Sequence, residues 1–205
     1  MTSLSNLYAF VQQMCKEYNI DESHDVTHAR DCVNFAEAIM DWNCSDEEIK
    51  IIRYAAALHD CVDKKYVSPS IATQKVREFL LSEGWDNIHI DAVINIINTM
   101  SYSYLNKQLL DGRPNYPDHG KWQRAYHTVR QADLLCSYRV QRCYLYQKRI
   151  YPTMSEYENW QKVSALFQVR MFKYVTNGWI HSPLALSMVP NLINIAKTDL
   201  AQHSF

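Results

Sequence analysis

Two dipeptides in the chain, His24-Asp25 and His59-Asp60, set an imidazole beside a carboxylate. The pairing alone says little, and the surroundings separate the two. His24-Asp25 closes the polar stretch from Asn19 to Asp25, where Asp25 suits the N-cap of the helix that follows. His59-Asp60 ends an apolar segment, directly after Ala55-Ala-Ala-Leu58. A carboxylate there is partly buried, and a buried charge is costly unless it is paired or bound to a metal. Imidazole nitrogen with carboxylate oxygen is a partial ligand set for a borderline divalent ion. Two further residues can complete the set. His28 lies on the preceding helix. Asp133, within Gln131-Ala-Asp-Leu-Leu135, is the one acid between Lys121 and Ile150, against seven lysines and arginines. An isolated acid in such a segment asks for a cation, either a metal ion or Arg130 one turn earlier.

The elements that must carry these residues read as helices. Leu4 to Tyr18 has Leu7, Phe10, Val11 and Met14 at helical spacing, and Val26 to Trp42 has Val33, Ala36 and Met40 on one stripe. Ser45-Asp-Glu-Glu48 is a capping box opening a helix through Leu58. Ser68-Pro69 starts another, to about Leu81, which Gly84 closes. Asp86 to Met100 follows, with Ile90, Val93, Ile94 and Ile97 apolar. Tyr102 to Gly120 is the one long loop. Lys121 to Tyr151 reads as one long helix. Thr153-Met-Ser-Glu156 is a second capping box, for a helix to about Thr176 ended by Gly178, and Ser182-Pro183 opens the last, to about Leu200. No segment alternates as a strand does, so the expectation is an all-α chain.

Composition narrows the class. The 205 residues suit one domain, and 47% apolar with 21% charged residues reads as globular rather than disordered. A formal net charge of -1 argues against nucleic-acid binding by bulk charge. No apolar run is long enough to span a membrane, and the N-terminus shows no export signal, so no membrane partner and a cytoplasmic location are expected. Cysteines stand at 15, 32, 44, 61, 136 and 143 without a C-x-x-C pair, which reads as buried, reduced thiols.

The order H…HD…D on helices resembles the HD-domain superfamily of metal-dependent phosphohydrolases. His24-Asp-Val-Thr-His28 is similar to that family's opening motif. The segment Ala55 to Tyr66, with HD, an acid three residues on and then Lys-Tyr, resembles a small single-domain branch. Ile97 to Ser103 and Gln131 to Cys136 resemble that branch's later segments, so the similarity covers about residues 22 to 140. The resemblance implies a single helical domain of the HD type over 1–205, with helices 150–205 packed on the core. It implies one divalent ion held by His28, His59, Asp60 and Asp133. Mn²⁺ is the first choice, with Co²⁺, Ni²⁺, Zn²⁺, Fe²⁺ and Mg²⁺ as others. Asp31 stands where the family often has Arg, and Met100 where the branch often has His. His89, His119 and His127 are the candidates for holding a second ion.

The chemistry implied is hydrolysis of a phosphate ester or anhydride, a nucleotide foremost, by metal-activated water. Asp63 takes the catalytic proton-transfer role by resemblance. Lys64, Lys65 and Arg130 are the expected substrate-binding residues, and Arg124 is a further cation for the site. Arg139, Arg142, Lys148 and Arg149 are expected on a solvated face. Tyr102, Tyr104, Tyr116, Trp122 and Tyr126 could stack on a base. The partner is then a small phosphorylated substrate, with a homodimer left open. Two other classes remain: a non-catalytic helical metal-binding module, and an HD-type di-iron oxygenase.

Overall fold

The described residues, 4 to 203 of this computed structural model, form ten α-helices. These are α1 (Ser5–Tyr18), α2 (Val26–Ile39), α3 (Asp46–Leu58), α4 (Pro69–Ser82), α5 (Asn87–Thr99), α6 (Tyr102–Leu105), α7 (Gln123–Cys136), α8 (Val140–Ile150), α9 (Glu156–Val169) and α10 (Pro183–Gln202). A two-residue hairpin, β1 (Leu109–Leu110) with β2 (Arg113–Pro114), is the only sheet among the described residues. The all-α expectation therefore holds. No helix among them is long and apolar enough to cross a membrane.

Helix starts follow local chemistry. The Asp25 carboxylate accepts from the backbone N–H of Thr27 at 2.7 Å and of His28 at 3.3 Å. That occupies donors a helix start leaves unpaired, and it fixes His28 in the first turn of α2. Ser45 and Glu48 cap α3 reciprocally, a device that stabilises a helix by about 1 kcal/mol. Pro69 and Pro183 occupy the first positions of α4 and α10. The second capping box is displaced from its expected register. Ser155 and Glu158 form it, not Thr153 and Glu156. Both pairs have the required spacing, and the chain uses the later one.

Three expected elements are interrupted. The helix expected over 121–151 breaks after Cys136, where the Ser137 N–H donates back to Asp133 and Leu134, and α8 restarts at Val140. The helix expected to reach Thr176 stops at Val169, followed by a 3₁₀ turn over Met171–Lys173. The loop Tyr102 to Gly120 holds α6 and the hairpin. Its turn residues Asp111 and Gly112 have φ of 51° and 76°, the positive pair that matches strand twist in a two-residue hairpin.

Helices α2, α3 and α7 pack mutually at the centre, with α1 and α5 against them and α10 across α7, α2 and α8. Ala55, Ala56 and Ala57 are buried in α3. Their small side chains let neighbouring helix axes approach toward the lower end of the usual range, about 8 Å. This trio carries the residues that matter: His28 starts α2, His59-Asp60 follows α3, and Asp133 lies in the last turn of α7.

Candidate metal centre

His59 opens a 3₁₀ turn, His59–Val62, that continues from α3. The turn aims the imidazole inward, and its Nδ1–H donates to the Ala56 carbonyl at 2.9 Å. A carbonyl only accepts, so Nδ1 carries a proton and Nε2 is left facing the interior, the arrangement that orients a ligating histidine. Four donor atoms meet there. His28 Nε2 lies 3.3 Å from Asp60 Oδ2 and 3.4 Å from Asp133 Oδ1, and His59 Nε2 lies 3.4 Å and 3.7 Å from the same two oxygens. Donors held about 2.1 Å from one ion are separated by about 3.0 Å in octahedral and about 3.4 Å in tetrahedral geometry. The observed spacing fits. His59 Nε2 and Asp60 Oδ2 are shielded from solvent and have no hydrogen-bond partner. Eight other buried polar atoms among the described residues also lack a partner, so it is the spacing of the four donors that a cation fits.

A fifth donor borders the cluster. Cys32 lies one turn after His28 on α2, with Sγ 3.4 Å from His28 Nε2. His28, Cys32, His59 and Asp133 each offer one donor atom within 4.8 Å of the others, a group that could hold a metal ion. His89, His119 and His127 are engaged elsewhere: His89 with Asp86 at 2.8 Å, His119 with Thr99 at 3.1 Å and His127 with Gln123 at 3.0 Å.

Burial pulls the His59 imidazolium down, but Asp60 and then Asp133 override it and hold its pKa up to about 9. Burial and Arg142 lower His28, and its bond to Asp133 with the nearby Asp60 charge reverses them, leaving it raised. Burial raises the Asp60 carboxyl, yet His59, His24, His28 and Arg142 together bring it down to about 2.

Around the donors lies a second layer, in which His24, Asp63 and Lys65 were singled out from the sequence and Asp21, Ser23 and Arg142 were not. Arg142, expected on a solvated face, turns inward. Its guanidinium stands 4.0 Å from Asp60 Oδ2 and 3.9 Å from Asp133 Oδ1, and its Nε–H donates to the Ser23 carbonyl. The hydroxyls of Ser23 and Tyr66 both donate to Asp21. His24 Nδ1 therefore donates to those oxygens, 2.6 Å and 3.0 Å away, and its Nε2 accepts from Lys65 Nζ at 3.4 Å. Burial opposes ionisation of Asp21, but the His24, Ser23 and Tyr66 hydrogen bonds hold its carboxyl far below the usual range. Asp63 follows the 3₁₀ turn and accepts from Lys65 twice, from N–H and from Nζ, each at 2.9 Å. Lys64 is exposed. Arg139 is exposed, as expected, and pairs with Asp31 at 2.7 Å.

Arg130 is placed differently from its expected role. It is 1% exposed, and its guanidinium donates to the Trp179 carbonyl at 2.6 Å and to His181 Nε2 at 3.1 Å. It also lies over the Tyr116 ring, 4.4 Å from the centroid. Arg124 is likewise committed, to Glu48 and Asn43. The aromatic residues proposed for base stacking serve the interior: Tyr126 is fully buried, and Tyr102 packs on Trp179 at 4.5 Å.

One pH effect arises in this second region. Burial, then Arg130, His181 and His119, hold the His127 pKa down to about 3. The unfolded chain takes up that proton near pH 6.5, so the contribution to stability is present above 6.5 and is lost as pH falls toward 3. Wild-type protein should lose up to about 1.4 kcal/mol per pH unit more than His127→Asn between pH 6 and 4. Urea titrations at several pH values read it, and parallel slopes would refute it.

Known protein families, curated proteins and solved structures offer no match to this chain.

Proposed function

We propose that this chain is a metal-dependent phosphohydrolase of the HD type, cleaving a phosphate ester or anhydride, with a nucleotide as the leading substrate class. The observation that supports this reading is the meeting of His28, His59, Asp60 and Asp133 at 3.3 to 3.7 Å, two of their donor atoms buried without hydrogen-bond partners. Two neutral imidazoles and two carboxylates balance a divalent ion. Such an ion, Mn²⁺ first, lowers the pKa of bound water and polarises a phosphoryl oxygen.

The remaining work falls to residues at the edge of the cluster. Arg142 and Lys65 supply positive charge for a phosphate. Lys65 already holds Asp63, so an arriving phosphate competes for the ammonium and releases the Asp63 carboxylate. Asp63 then accepts a proton from water at Oδ2. Asp63→Asn should retain Mn²⁺ and lose kcat by a factor on the order of 10² or more. Unchanged kcat would remove Asp63 from the mechanism.

The decisive experiment incubates the protein with nucleoside mono-, di- and triphosphates and Mn²⁺ and separates the products, with Asp60→Ala as control. Turnover by wild type alone is the expected result. The Asp63–Lys65 pair favours a second reading, a metal-binding module without catalysis, because the carboxylate is already engaged by the lysine rather than by water. Stoichiometric Mn²⁺ with no turnover of any phosphate ester would select it.

A further inference from the structure

Two thiols meet directly beside the candidate ligands. Cys32 Sγ lies 3.4 Å from Cys136 Sγ, across the contact between α2 and α7. Each cysteine shares a helix face with a metal-ligand candidate: Cys32 is one turn after His28, and Cys136 is three residues after Asp133. Both are buried. Cys32 Sγ is as close to His28 Nε2 as to its partner sulfur, 3.4 Å in each case. A disulfide has its sulfurs about 2.05 Å apart, so closure requires them to approach by about 1.4 Å, a displacement within reach of side-chain rotation.

We infer that Cys32 and Cys136 form a reversible dithiol–disulfide pair whose oxidation weakens metal binding at His28. The oxidant is a hydroperoxide, small enough to enter where Asp60 and Asp133 are 15% and 21% exposed. One sulfur attacks a peroxide oxygen, the O–O bond breaks, and a sulfenic acid and water result. The second sulfur attacks the sulfenic sulfur, the S–O bond breaks, and its oxygen leaves as a second water. Two thiols and one H₂O₂ thus give one disulfide and two H₂O. Closure draws Cys32 Sγ toward α7 and ties the two helices beneath the cluster. It also removes a thiol from the donor group, because a disulfide sulfur is a poor ligand beside a thiolate.

The effect on metal rests on the metal-centre reading; the cross-link does not. The test treats purified wild-type protein with H₂O₂, alkylates the remaining thiols and maps the peptides. Mn²⁺ affinity is then measured before oxidation, after it, and after dithiothreitol. A Cys32–Cys136 cross-linked peptide is expected, with Mn²⁺ affinity at least tenfold weaker and restored by reductant. Cys136→Ser and Cys136→Ala should both bind Mn²⁺ as wild type does and lose the response to peroxide. Absence of that peptide, or a cross-link that leaves Mn²⁺ affinity unchanged, overturns the inference. Reduced wild type that binds no divalent ion instead overturns the metal-centre reading, and with it the coupling.

Discussion

If the proposed centre holds Mn²⁺, Asp60→Ala should weaken its binding by about a hundredfold or more and remain a folded helical protein. Removing this carboxylate deletes a donor that contacts both His28 and His59. It also leaves those two imidazoles and the Arg142 guanidinium facing Asp133 alone. One carboxylate beside the Arg142 guanidinium leaves too little negative charge to hold a divalent ion. The fold is spared because the Asp60 oxygen at issue has no hydrogen bond to lose, and the alanine run of α3 is untouched. Asp60 is also the main influence holding His59 high, so the His59 pKa should drop from about 9 in the variant. Metal analysis after gel filtration, circular dichroism and an NMR histidine titration read the three parts. Wild-type metal content in Asp60→Ala would sink the site.

Arg130→Ala should unfold more easily by about 3 to 5 kcal/mol, and any turnover per folded molecule should be unchanged. The side chain is the largest of those fully buried. Its loss leaves a cavity in the interior and strips a charged donor from the Trp179 carbonyl. Trp179 and His181 belong to the segment between α9 and α10, so the arginine on α7 anchors that segment to the central helices. Arg130→Met keeps most of the volume and should cost less, which separates packing from hydrogen bonding. Urea denaturation and steady-state kinetics check both variants. A raised KM with unchanged stability would return Arg130 to a role in substrate binding.

The helical class and most helix starts were legible because they rest on local rules, whereas the grouping of His28, His59, Asp60 and Asp133 was expected from a resemblance, since no local rule joins positions so far apart. Capping residues, prolines at first helical positions and apolar spacing act within one or two turns. Where two local solutions coexist the sequence is ambiguous, as with Thr153…Glu156 and Ser155…Glu158. Interruptions without Gly or Pro were not legible. Ser137-Tyr-Arg139 carries no breaker, and the turn is held instead by tertiary contacts, including the Tyr138 hydroxyl donating to the Met171 carbonyl at 2.9 Å. The errors over Arg142 and Arg130 follow from that turn and from the docking of the C-terminal segment. Proximity along α7 suggested Arg130, whereas the fold brings Arg142 to the carboxylates.

That same turn makes chain length a constraint. On one straight helix Arg142 would stand about 14 Å along the axis from Asp133. An insertion of one residue within 137–139 that pushes α8 forward by one position turns each of its side chains about 100° around the helix axis. Arg142, Tyr146 and Arg149, which lie beside Ser23, His24 and Asp21 respectively, would leave their partners together. The exposed Asp111-Gly112 turn has no such partners at stake and should accept added residues freely. Among descendants of this sequence, lengths should vary at the hairpin and stay fixed between α7 and α8, even where the residues themselves change.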